Sequence, residues 1–536
     1  MADAVVVGAG PNGLVAANLL ADAGWSVLVV EAADEPGGAV KTAEITAPGF
    51  RNDLFSAFYP LAAASPIITS LGLERYGLRW SHAPTVLAHP LDDGRTALLH
   101  RDPFATAANL DRLSPGDGAA WLDLVERFRT ISGPLLDALF RPMPPVRPGA
   151  RLARALGPAE LLRFVRFALM PLRRWSAESF HGLGAASLFA GNALHTDLGP
   201  DDAGSAVFGW LLAMLAQTVG FPVPVGGAGE LSRALVARLR DRGGQVVCGA
   251  RVAEITVRSG RAVGVRTVDG TSHQATRAVI AAVDAPQVLT HLVGEEHLPA
   301  KLVEDIRGFI WDNATIKVDW ALSEPIPWLD PECGLAGTVH LGGSAESLSD
   351  YAHALARSIV PARPYLVLGQ MTTADASRSP AGTESAWAYT HVPQRVHHDA
   401  GGADLTGRWD QREVQVMVDR IETEVERHAP GFRNAIIGRH VFGPLELEAA
   451  NASLFRGALN GGTSGLHQQL FWRPVPGLGR PELPVDGLYL ASASAHPGGG
   501  VHGAPGAIAA HAALHNTGRA GPLRRAALRT AFRAIY

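Results

Sequence analysis

With 536 residues, the chain is too long for a single hydrophobic core, and its length indicates two or three domains, which can interleave along the sequence. Hydrophobic residues make up 47% and charged residues 18%, and the mean hydropathy of +0.09 indicates a large core or an apolar substrate cavity. A net charge of −4 gives no electrostatic case for nucleic-acid binding, and the widely separated Cys248 and Cys333 exclude a CxxC pair for redox catalysis or metal binding.

The first segment of the chain has the order strand, glycine-rich turn, helix and strand. Residues Ala4–Val7 are all apolar, which is typical of a parallel strand buried on both faces. A helix is predicted over Leu14–Ala23, and Gly24 ends it. A second apolar strand at residues 26–30 leads to Glu31, about 18 positions after the last glycine of the turn. This order predicts a Rossmann unit that binds an adenine dinucleotide.

Each glycine of the turn has a physical task in that binding. Gly8 permits a tight turn, Gly10 lets a pyrophosphate approach the backbone, and Gly13 allows the helix to pack closely on the strand. The helix N-terminus supplies N–H donors, and Glu31 can accept both ribose hydroxyls. The alternative, a glycine-rich turn in an ordinary α/β domain, would not require the second strand with its terminal acid. The residues predicted to bind the dinucleotide here are Gly8, Gly10, Pro11, Asn12, Gly13 and Glu31.

A second glycine pair, Gly37 and Gly38, follows the second strand and precedes Lys41. A domain that binds only NAD has no need of this pair, whereas FAD is longer and its flavin end requires a second close approach to the backbone. A plain Pro-Gly-Gly turn is the alternative. The two motifs together resemble the N-terminal signature of the superfamily of FAD-dependent amine oxidases and phytoene desaturases. The resemblance implies that Gly37, Gly38 and Lys41 contribute to an FAD site.

The middle of the chain resembles the same superfamily. Glycines within residues 226–229 open a predicted helix that ends at Arg240, and short strands follow. By the resemblance, the backbone of Val252 contacts the FAD adenine. Residues 226–229 do not follow a strand in a βαβ context, so NADPH has no evident binding site as a hydride donor. The predicted strands are Gln245–Cys248, Val252–Val257, Ala262–Val268, Gln274–Arg277 and Ala278–Val283.

Near the C-terminus, a strand at Leu488–Ala491 leads into a glycine-rich loop and a predicted helix from Gly503 to about His515. A helix N-terminus suits the edge of the flavin where negative charge develops on reduction. The segment resembles the motif that closes phytoene desaturases, although Ser492 and Ser494 stand where relatives often carry glycine. The resemblance implies a third set of FAD-binding residues, namely Ser494, Pro497, Gly500 and Val501.

The resemblance covers nearly the whole chain and is closest to one branch of the superfamily. Residues 466–477, followed by the Ala-His-Pro-Gly-Gly-Gly loop, are similar to bacterial relatives in the branch of pyridine nucleotide-disulfide oxidoreductase domain-containing protein 2. The resemblance implies an α/β fold with a Rossmann-type FAD-binding domain assembled from discontinuous segments and an inserted α+β substrate domain. We assign residues 1–80, 220–285 and 465–516 to the first, residues 81–219 and 286–464 to the second, and residues 517–536 to a C-terminal tail.

Catalytic residues are harder to predict, because the flavin N5 accepts the hydride and the protein mainly orients the substrate and excludes water. An acid or base near the flavin edge can assist loss of a proton. The candidates are His502, in the glycine-rich loop of residues 492–502 (the closing loop), and His467 just before that loop. His195 is a weaker candidate. For each histidine, a hydrogen-bonded structural imidazole is the alternative. No cluster of metal ligands is predicted.

The predicted function is an FAD-dependent oxidoreductase that desaturates an apolar small molecule by hydride transfer to flavin N5. The alternatives are a flavin amine oxidase and a regulatory or interaction protein that holds FAD with little turnover. We expect FAD to bind noncovalently and oxygen or a quinone to accept the electrons. The apolar segment Gly204–Val225 is broken by glycine and prolines and is too short to span a membrane. We therefore expect a cytoplasmic protein. Basic amphipathic segments could still contact the membrane surface peripherally.

Overall fold

The computed structural model describes residues 1–536, and its 20 strands form two seven-stranded sheets and three two-stranded ribbons. The strands are β1 (Ala2–Val7), β2 (Val27–Val30), β3 (Thr42–Ala43), β4 (Asn52–Asp53), β5 (Trp80–Ser81), β6 (Thr85–Pro90), β7 (Thr96–Leu99), β8 (Val223–Pro224), β9 (Gln245–Val247), β10 (Val252–Arg258), β11 (Arg261–Thr267), β12 (Ser272–Ala281), β13 (Ala314–Leu322), β14 (Ala336–Leu341), β15 (Ile359–Val360), β16 (Leu366–Gln370), β17 (Glu384–Val392), β18 (His398–Asp399), β19 (Ile436–Phe442) and β20 (Leu488–Leu490).

Helices connect and cover these strands. They are α1 (Pro11–Asp22), α2 (Pro60–Ala64), α3 (Pro66–Ser70), α4 (Pro103–Leu113), α5 (Asp117–Leu139), α6 (Val146–Leu169), α7 (Leu172–Ser179), α8 (Leu183–Leu194), α9 (Ser205–Val219), α10 (Gly229–Asp241), α11 (Ala285–Gln287), α12 (Ala300–Arg307), α13 (Ala345–Ala356), α14 (Met371–Ala374), α15 (Gln411–His428), α16 (Phe432–Ala435), α17 (Pro444–Ala450), α18 (Ala504–Thr517) and α19 (Gly521–Ile535).

The first sheet has a parallel core in the order β20-β12-β1-β2-β9. In β1, Val5 and Val7 face one side and Ala4 and Val6 face the other, and all four are buried because both faces are covered. Helices α1, α10 and α18 pack on one face. The β10–β11 hairpin, α11 and α12 pack on the other face. This arrangement confirms the predicted α/β fold with a Rossmann-type unit made of separated segments.

One prediction in this region was wrong. Residues Gln274–Arg277 and Ala278–Val283 are not two strands, because β12 runs without a break from Ser272 to Ala281. Its first residues pair antiparallel with β11, and its last residues pair parallel with β1 and β20. No glycine or proline interrupts the segment, so the chain continues from the hairpin into the parallel core.

The second sheet has the order β19-β13-β17-β16-β14-β6-β7 and is antiparallel except where β14 lies parallel to β6. Helix α15 covers one face through its apolar side. Helices α8 and α9 pack against the other face, and almost every residue of α8 is buried. The first sheet takes its strands from residues 2–30, 245–281 and 488–490, and the second from residues 85–99, 314–392 and 436–442. The domain boundaries themselves stay a prediction.

The apolar segment within residues 204–225 folds as α9, a helix of 15 residues that ends at Gly220. It packs in the core between α8 and the neighbouring helices. None of the helices combines the length and the apolar character that a membrane crossing requires. The predicted location of the protein stays a prediction.

A fully buried ion pair ties the β3–β4 ribbon to the segment that follows α14. Asp53 on β4 and Arg378, which follows α14, are both 0% exposed, and their Oδ2 and Nη2 atoms lie 2.7 Å apart. Asp53 also accepts hydrogen bonds from Thr42 Oγ1 at 2.7 Å and from the Ala228 N–H at 2.8 Å. Because the pair is inaccessible to water, removing one partner leaves an uncompensated charge in the interior.

Arg378→Met should therefore destabilise the protein by about 3–5 kcal/mol, as breaking a buried pair usually does. The double variant Asp53→Asn/Arg378→Met should recover a large part of that loss, because it leaves no unpaired charge. The exposed pair Arg266–Glu254 provides the matched control, and Arg266→Met should cost about 1 kcal/mol or less. Denaturant unfolding of the three variants measures the difference, and equal losses in Arg378→Met and Arg266→Met would contradict the assignment.

Candidate functional site

The first glycine turn connects β1 to α1 and is held by backbone contacts. The Gly8 N–H donates to the Val30 carbonyl at 2.8 Å, so the turn is tied to the end of β2. A Cβ atom at Gly13 would overlap the carbonyl oxygen of Gly8, which restricts this position to glycine. Gly10 caps α1 with extended backbone angles that any residue can adopt. Its lack of a side chain is therefore not required by the turn itself.

The second glycine pair packs directly on the first turn. The Gly37 N–H donates to the Ala9 carbonyl at 2.9 Å. A Cβ atom at Gly38 would lie 2.9 Å from the Gly10 Cα, a separation that real Cβ atoms essentially never show. The two turns thus form a cradle of bare backbone, with half-buried Lys41 just beyond it. Such a cradle suits the close approach of a pyrophosphate.

The N-terminus of α1 opens at this cradle without a competing side chain. Gly10 supplies no capping group, Pro11 occupies the first helical position, and no acidic residue lies in the first turn. The side-chain Oδ1 of Asn12 is buried and has no hydrogen-bond partner. The uncapped N–H groups and the partial positive charge of the helix end fit a bound anion.

Glu31 directly follows β2, and its side chain reaches the first glycine turn. Its carboxylate accepts hydrogen bonds from the Ala9 N–H at 2.6 Å and from the Ala33 N–H at 2.9 Å. The Glu31 carbonyl accepts from the Ala250 N–H at 2.8 Å, two residues before Val252 begins β10. The fold therefore brings Val252, predicted to contact the adenine, to the segment that runs beside Glu31.

The closing loop completes the same region from the other end of the chain. Helix α18 begins after Gly503 and packs so closely on α1 that a Cβ atom at Gly506 would overlap the carbonyl oxygen of Asn12. In the loop before it, the Oγ of Ser494 is buried without a partner. The remaining predicted residues of this loop are Pro497, Gly500 and Val501, which precede α18 in the chain. Val501 packs against the apolar cluster that includes α1.

Two buried charges that sequence reasoning missed hold the loops at this end. Arg473, 1% exposed, donates hydrogen bonds to the carbonyls of Asn460 and Ala493 at 2.9 and 2.8 Å. Asp312 accepts from the N–H groups of Asn460 and Gly462 at 2.7 and 2.9 Å. Burial lowers the pKa of Arg473 to about 10 and raises the pKa of Asp312. The only sequence signal for Arg473 is its place in the Trp-Arg-Pro run before the closing motif.

His502 is buried in the closing loop, where its ring stacks on Phe140 with the centroids 5.0 Å apart. Its Nδ1 accepts a hydrogen bond from the Ala504 N–H at 3.1 Å, so Nε2 carries the proton in the neutral ring. Burial lowers the pKa of His502 to about 4. The backbone of Gly499 and Gly498 opposes this shift, and the imidazole is neutral at pH 7 with its hydrogen on Nε2.

The other histidine candidates lie elsewhere. His467 is exposed on a short 3₁₀ turn, whereas Gln468 and Gln469 beside it are buried. His195 follows α8, and its Nε2 lies 2.8 Å from Nε2 of His340 on β14. The catalytic roles predicted for His467 and His502 stay predictions.

His496 offers a proton acceptor in the closing loop that the sequence did not single out. Its Nε2 lies 3.0 Å from the Arg141 carbonyl, so Nε2 donates and Nδ1 keeps its lone pair. That Nδ1 atom is buried and has no hydrogen-bond partner. Burial lowers the pKa of His496 to about 4, which keeps the ring neutral at pH 7.

One face of the second sheet carries buried ionisable groups. Lys317 and Asp319 on β13 form an ion pair between Nζ and Oδ2, and both are buried. The Lys317 ammonium lies 5.9 Å from the ring centroid of Trp387 on the neighbouring strand β17. Burial raises the pKa of Asp319 to about 6, although Lys317 opposes the shift. Sequence reasoning missed this pair because nothing local distinguishes it from ordinary strand residues.

Comparison with known proteins agrees with this arrangement. The family model for flavin containing amine oxidoreductase matches residues 12–380, more than half of the chain. The chain therefore belongs to that family. It is a flavin-dependent oxidoreductase, which confirms the predicted class of enzyme and the presence of a flavin cofactor.

Particular relatives refine the family assignment. The mouse (Mus musculus) pyridine nucleotide-disulfide oxidoreductase domain-containing protein 2 is 29% identical, with 95% of this chain and 92% of the mouse protein covered. A lycopene-forming phytoene desaturase from Pseudescherichia vulneris is 25% identical, with 96% and 99% covered. The solved structure of an oxidoreductase from Methanosarcina mazei shares the fold, with a TM-score of 0.62, 17% identity, and coverage of 96% of this chain and 99% of that one. These relatives confirm the phytoene desaturase-like superfamily predicted from the sequence.

The two glycine positions in the first turn should respond differently to substitution. Gly10→Val should fold but lose the bound flavin, because its backbone angles are allowed and the nearest atom to its Cβ is Gly38 Cα at 3.9 Å. Gly13→Val should fail to fold, since its Cβ overlaps the Gly8 carbonyl oxygen. Circular dichroism and the flavin absorbance of each purified variant test this. A yellow Gly10→Val protein would contradict the cradle.

His502 makes stability depend on pH. Its folded-state pKa of about 4 lies below the ordinary 6.5, so the folded state prefers the neutral ring. Its contribution is present above pH 6.5 and is lost as the pH falls towards 4, with a loss of about 2 kcal/mol between pH 7 and pH 5. Denaturant unfolding at both pH values should show a smaller pH effect in His502→Gln than in the wild type. An identical effect in both proteins would show that His502 titrates normally.

Proposed function

We propose that this chain binds FAD noncovalently and desaturates an apolar small molecule. When bound, FAD supplies a hydride acceptor at N5. The protein's task is then to hold the cofactor, orient the substrate against it, and accept the proton that leaves. The observation that carries the proposal is the apolar wall beside the closing loop.

The cradle and the two helix N-termini would hold the cofactor. Gly10, Gly38 and the N-terminus of α1 fit the pyrophosphate, and Glu31 fits the adenine ribose. The unpartnered Ser494 Oγ offers one further polar contact from the closing loop. The N-terminus of α18 lies where it would stabilise negative charge at the flavin edge.

The positions of the two cysteines support noncovalent binding. Cys333 is buried in the second sheet's apolar cluster, within 4.0 Å of Thr96 Oγ1. Cys248 follows β9, and the Glu31 carboxylate is near enough to raise the pKa of its thiol together with burial. It therefore lies at the adenine end of the proposed site. Neither thiol belongs to the closing loop, where a flavin thioether would be needed.

Apolar side chains of a core cluster lie beside the closing loop. A Cβ atom at Gly500 would lie 2.7 Å from Leu61 Cδ1, so Leu61 covers the tip of the loop. Phe58, three residues earlier, lies with its ring centroid 6.0 Å from that of Trp387 and 6.5 Å from that of Phe221. Such side chains bind a hydrocarbon and exclude water, but they offer no hydrogen bond to a polar substrate.

Amine oxidation is the second candidate, since the family takes its description from amine oxidoreductases. A protonated amine would need a carboxylate or an aromatic face at the site. Asp319 is already paired with Lys317, and the Trp387 face already carries the Lys317 ammonium. A second cation placed there would be repelled, so the buried charges favour an uncharged substrate. The phytoene desaturase among the relatives also acts on an uncharged hydrocarbon.

The closing-loop histidines divide the proton chemistry between them. His496 keeps a free Nδ1 lone pair and can accept the proton that the substrate loses. His502 offers only its Nε2 hydrogen, so we assign it the role of a donor towards developing negative charge. His467 lies exposed to solvent, and we propose no step for it. Oxygen or a quinone would then take the electrons, since only one βαβ nucleotide unit is formed.

Anaerobic stopped-flow spectroscopy tests the substrate class. Phytoene in detergent micelles should bleach the bound flavin, whereas benzylamine should bleach it at least tenfold more slowly. NADH and NADPH should produce slow or no bleaching, well below the roughly 1–10³ per second usual for enzyme turnover. Acid precipitation of the same preparation should release a yellow compound with the mass of FAD.

Three outcomes would overturn parts of the proposal. Faster bleaching by benzylamine would establish amine oxidation instead. Rapid bleaching by NADPH would reveal a nicotinamide site. A flavin that no substrate class reduces would favour the third hypothesis, a regulatory or interaction protein with little turnover.

A further inference from the structure

A cavity lies between the C-terminal end of α5 and the helices α18 and α19, and it shares no lining residue with the glycine cradle. It has a volume of about 410 Å³, within the range of ligand-binding cavities. Five basic side chains line it and no acidic one does; they are Arg141, Arg480, Arg524, His511 and His515. The remaining wall is apolar and includes Phe140, Ile508 and Ala512.

The charges around the cavity are only partly balanced. Arg141 pairs with Asp137 at 3.1 Å, and the buried Glu482 lies 3.4 Å from Arg480 and 3.8 Å from Arg524. Two carboxylates thus face three arginines, and the two histidines have no acidic partner. Burial, Arg141 and His515 together lower the pKa of His511, which indicates a surplus of positive potential. An anion that binds in the cavity would neutralise this excess positive charge.

The cavity also contacts the closing loop. Phe140 forms part of its wall and stacks on His502, with ring centroids 5.0 Å apart. The carbonyl of the next residue, Arg141, bonds to His496 Nε2 at 3.0 Å. Phe140 and Ile508 belong to one apolar cluster with Ala504, and Leu61 packs against that cluster. Apolar side chains therefore continue from the cavity to the tip of the closing loop.

We propose that this cavity binds an organic anion in which a carboxylate or phosphate head is joined to an apolar chain. The basic side chains would bind the head, and the chain would lie on Phe140 and Ile508. A free amphiphile and a lipid head group share this chemistry. Because Phe140 touches His502, an occupied cavity would alter the surroundings of the flavin. The binding does not depend on the substrate proposed above.

Calorimetric titration of the holoenzyme with decanoate tests the proposal, with 1-decanol as the uncharged probe. Decanoate should bind at one site, and the triple variant Arg141→Gln/His511→Gln/His515→Gln should weaken it at least tenfold. These three side chains are exposed or half-exposed and leave the buried Glu482 paired. Arg240→Gln, an exposed arginine on α10, is the matched control and should bind as the wild type does.

Sedimentation with phosphatidylglycerol vesicles separates the two sources of the ligand. Decanoate binding in solution would assign the cavity to a free amphiphile. Vesicle binding that the triple variant loses, without decanoate binding, would assign it to a lipid head group. The proposal is overturned if neither probe binds, if 1-decanol binds as tightly as decanoate, or if the triple variant binds both anions normally.

The flavin spectrum tests the contact between the cavity and the closing loop. Decanoate should shift the flavin absorbance of the wild type. In Phe140→Leu, which removes the ring stacked on His502, binding should persist but the shift should be smaller. Equal shifts in both proteins would show that the cavity does not act on the flavin through Phe140.

Discussion

The close approach of two backbone turns, at Gly10 and Gly38, is the constraint on which the rest of the site depends. A Cβ atom at Gly38 would lie 2.9 Å from the Gly10 Cα, so this turn leaves no room for a side chain against the first one. The approach requires β1 and β2 in register, because the Gly8 N–H and the Glu31 carboxylate tie the first turn to the end of β2. It also places the N-terminus of α1 at the two turns. A dinucleotide site thus follows from packing before any side chain is chosen to contact the ligand.

Buried charges then fix loops that the sheets do not hold. Arg473 and Asp312 hold the backbone of residues 459–463 and Ala493. Asp53 and Arg378 tie the β3–β4 ribbon to the segment after α14. In each case the partners are backbone groups or a single opposite charge, as buried charges require. This framework leaves the wall beside Gly500 free to be apolar. Polar side chains thus hold the loops, and apolar side chains lie beside Gly500.

The strands and glycine turns of the Rossmann unit were predictable from the sequence, because residues close in the chain determine them. Gly13 must be glycine because Gly8 is five residues away, and Val5 and Val7 must be apolar because both sheet faces are covered. The remainder depends on distant partners. Asp312 and Gly462 are 150 residues apart, and no short pattern marks either of them. The continuous β12 was also missed, since its change from antiparallel to parallel pairing is decided by its neighbours. The exposure of His467 likewise follows from the burial of Gln468 and Gln469 beside it.

On this proposal, the two glycine turns and the closing loop form one cofactor site. A crystal structure of the flavin-bound protein measures this most directly. In that structure, we expect the pyrophosphate to lie between Gly10 and Gly38 and the adenine ribose to bond to the Glu31 carboxylate. We expect the flavin ring to lie against the closing loop at Gly500. Flavin density that lies outside the cradle, or a ring that points away from the closing loop and towards solvent, would contradict it.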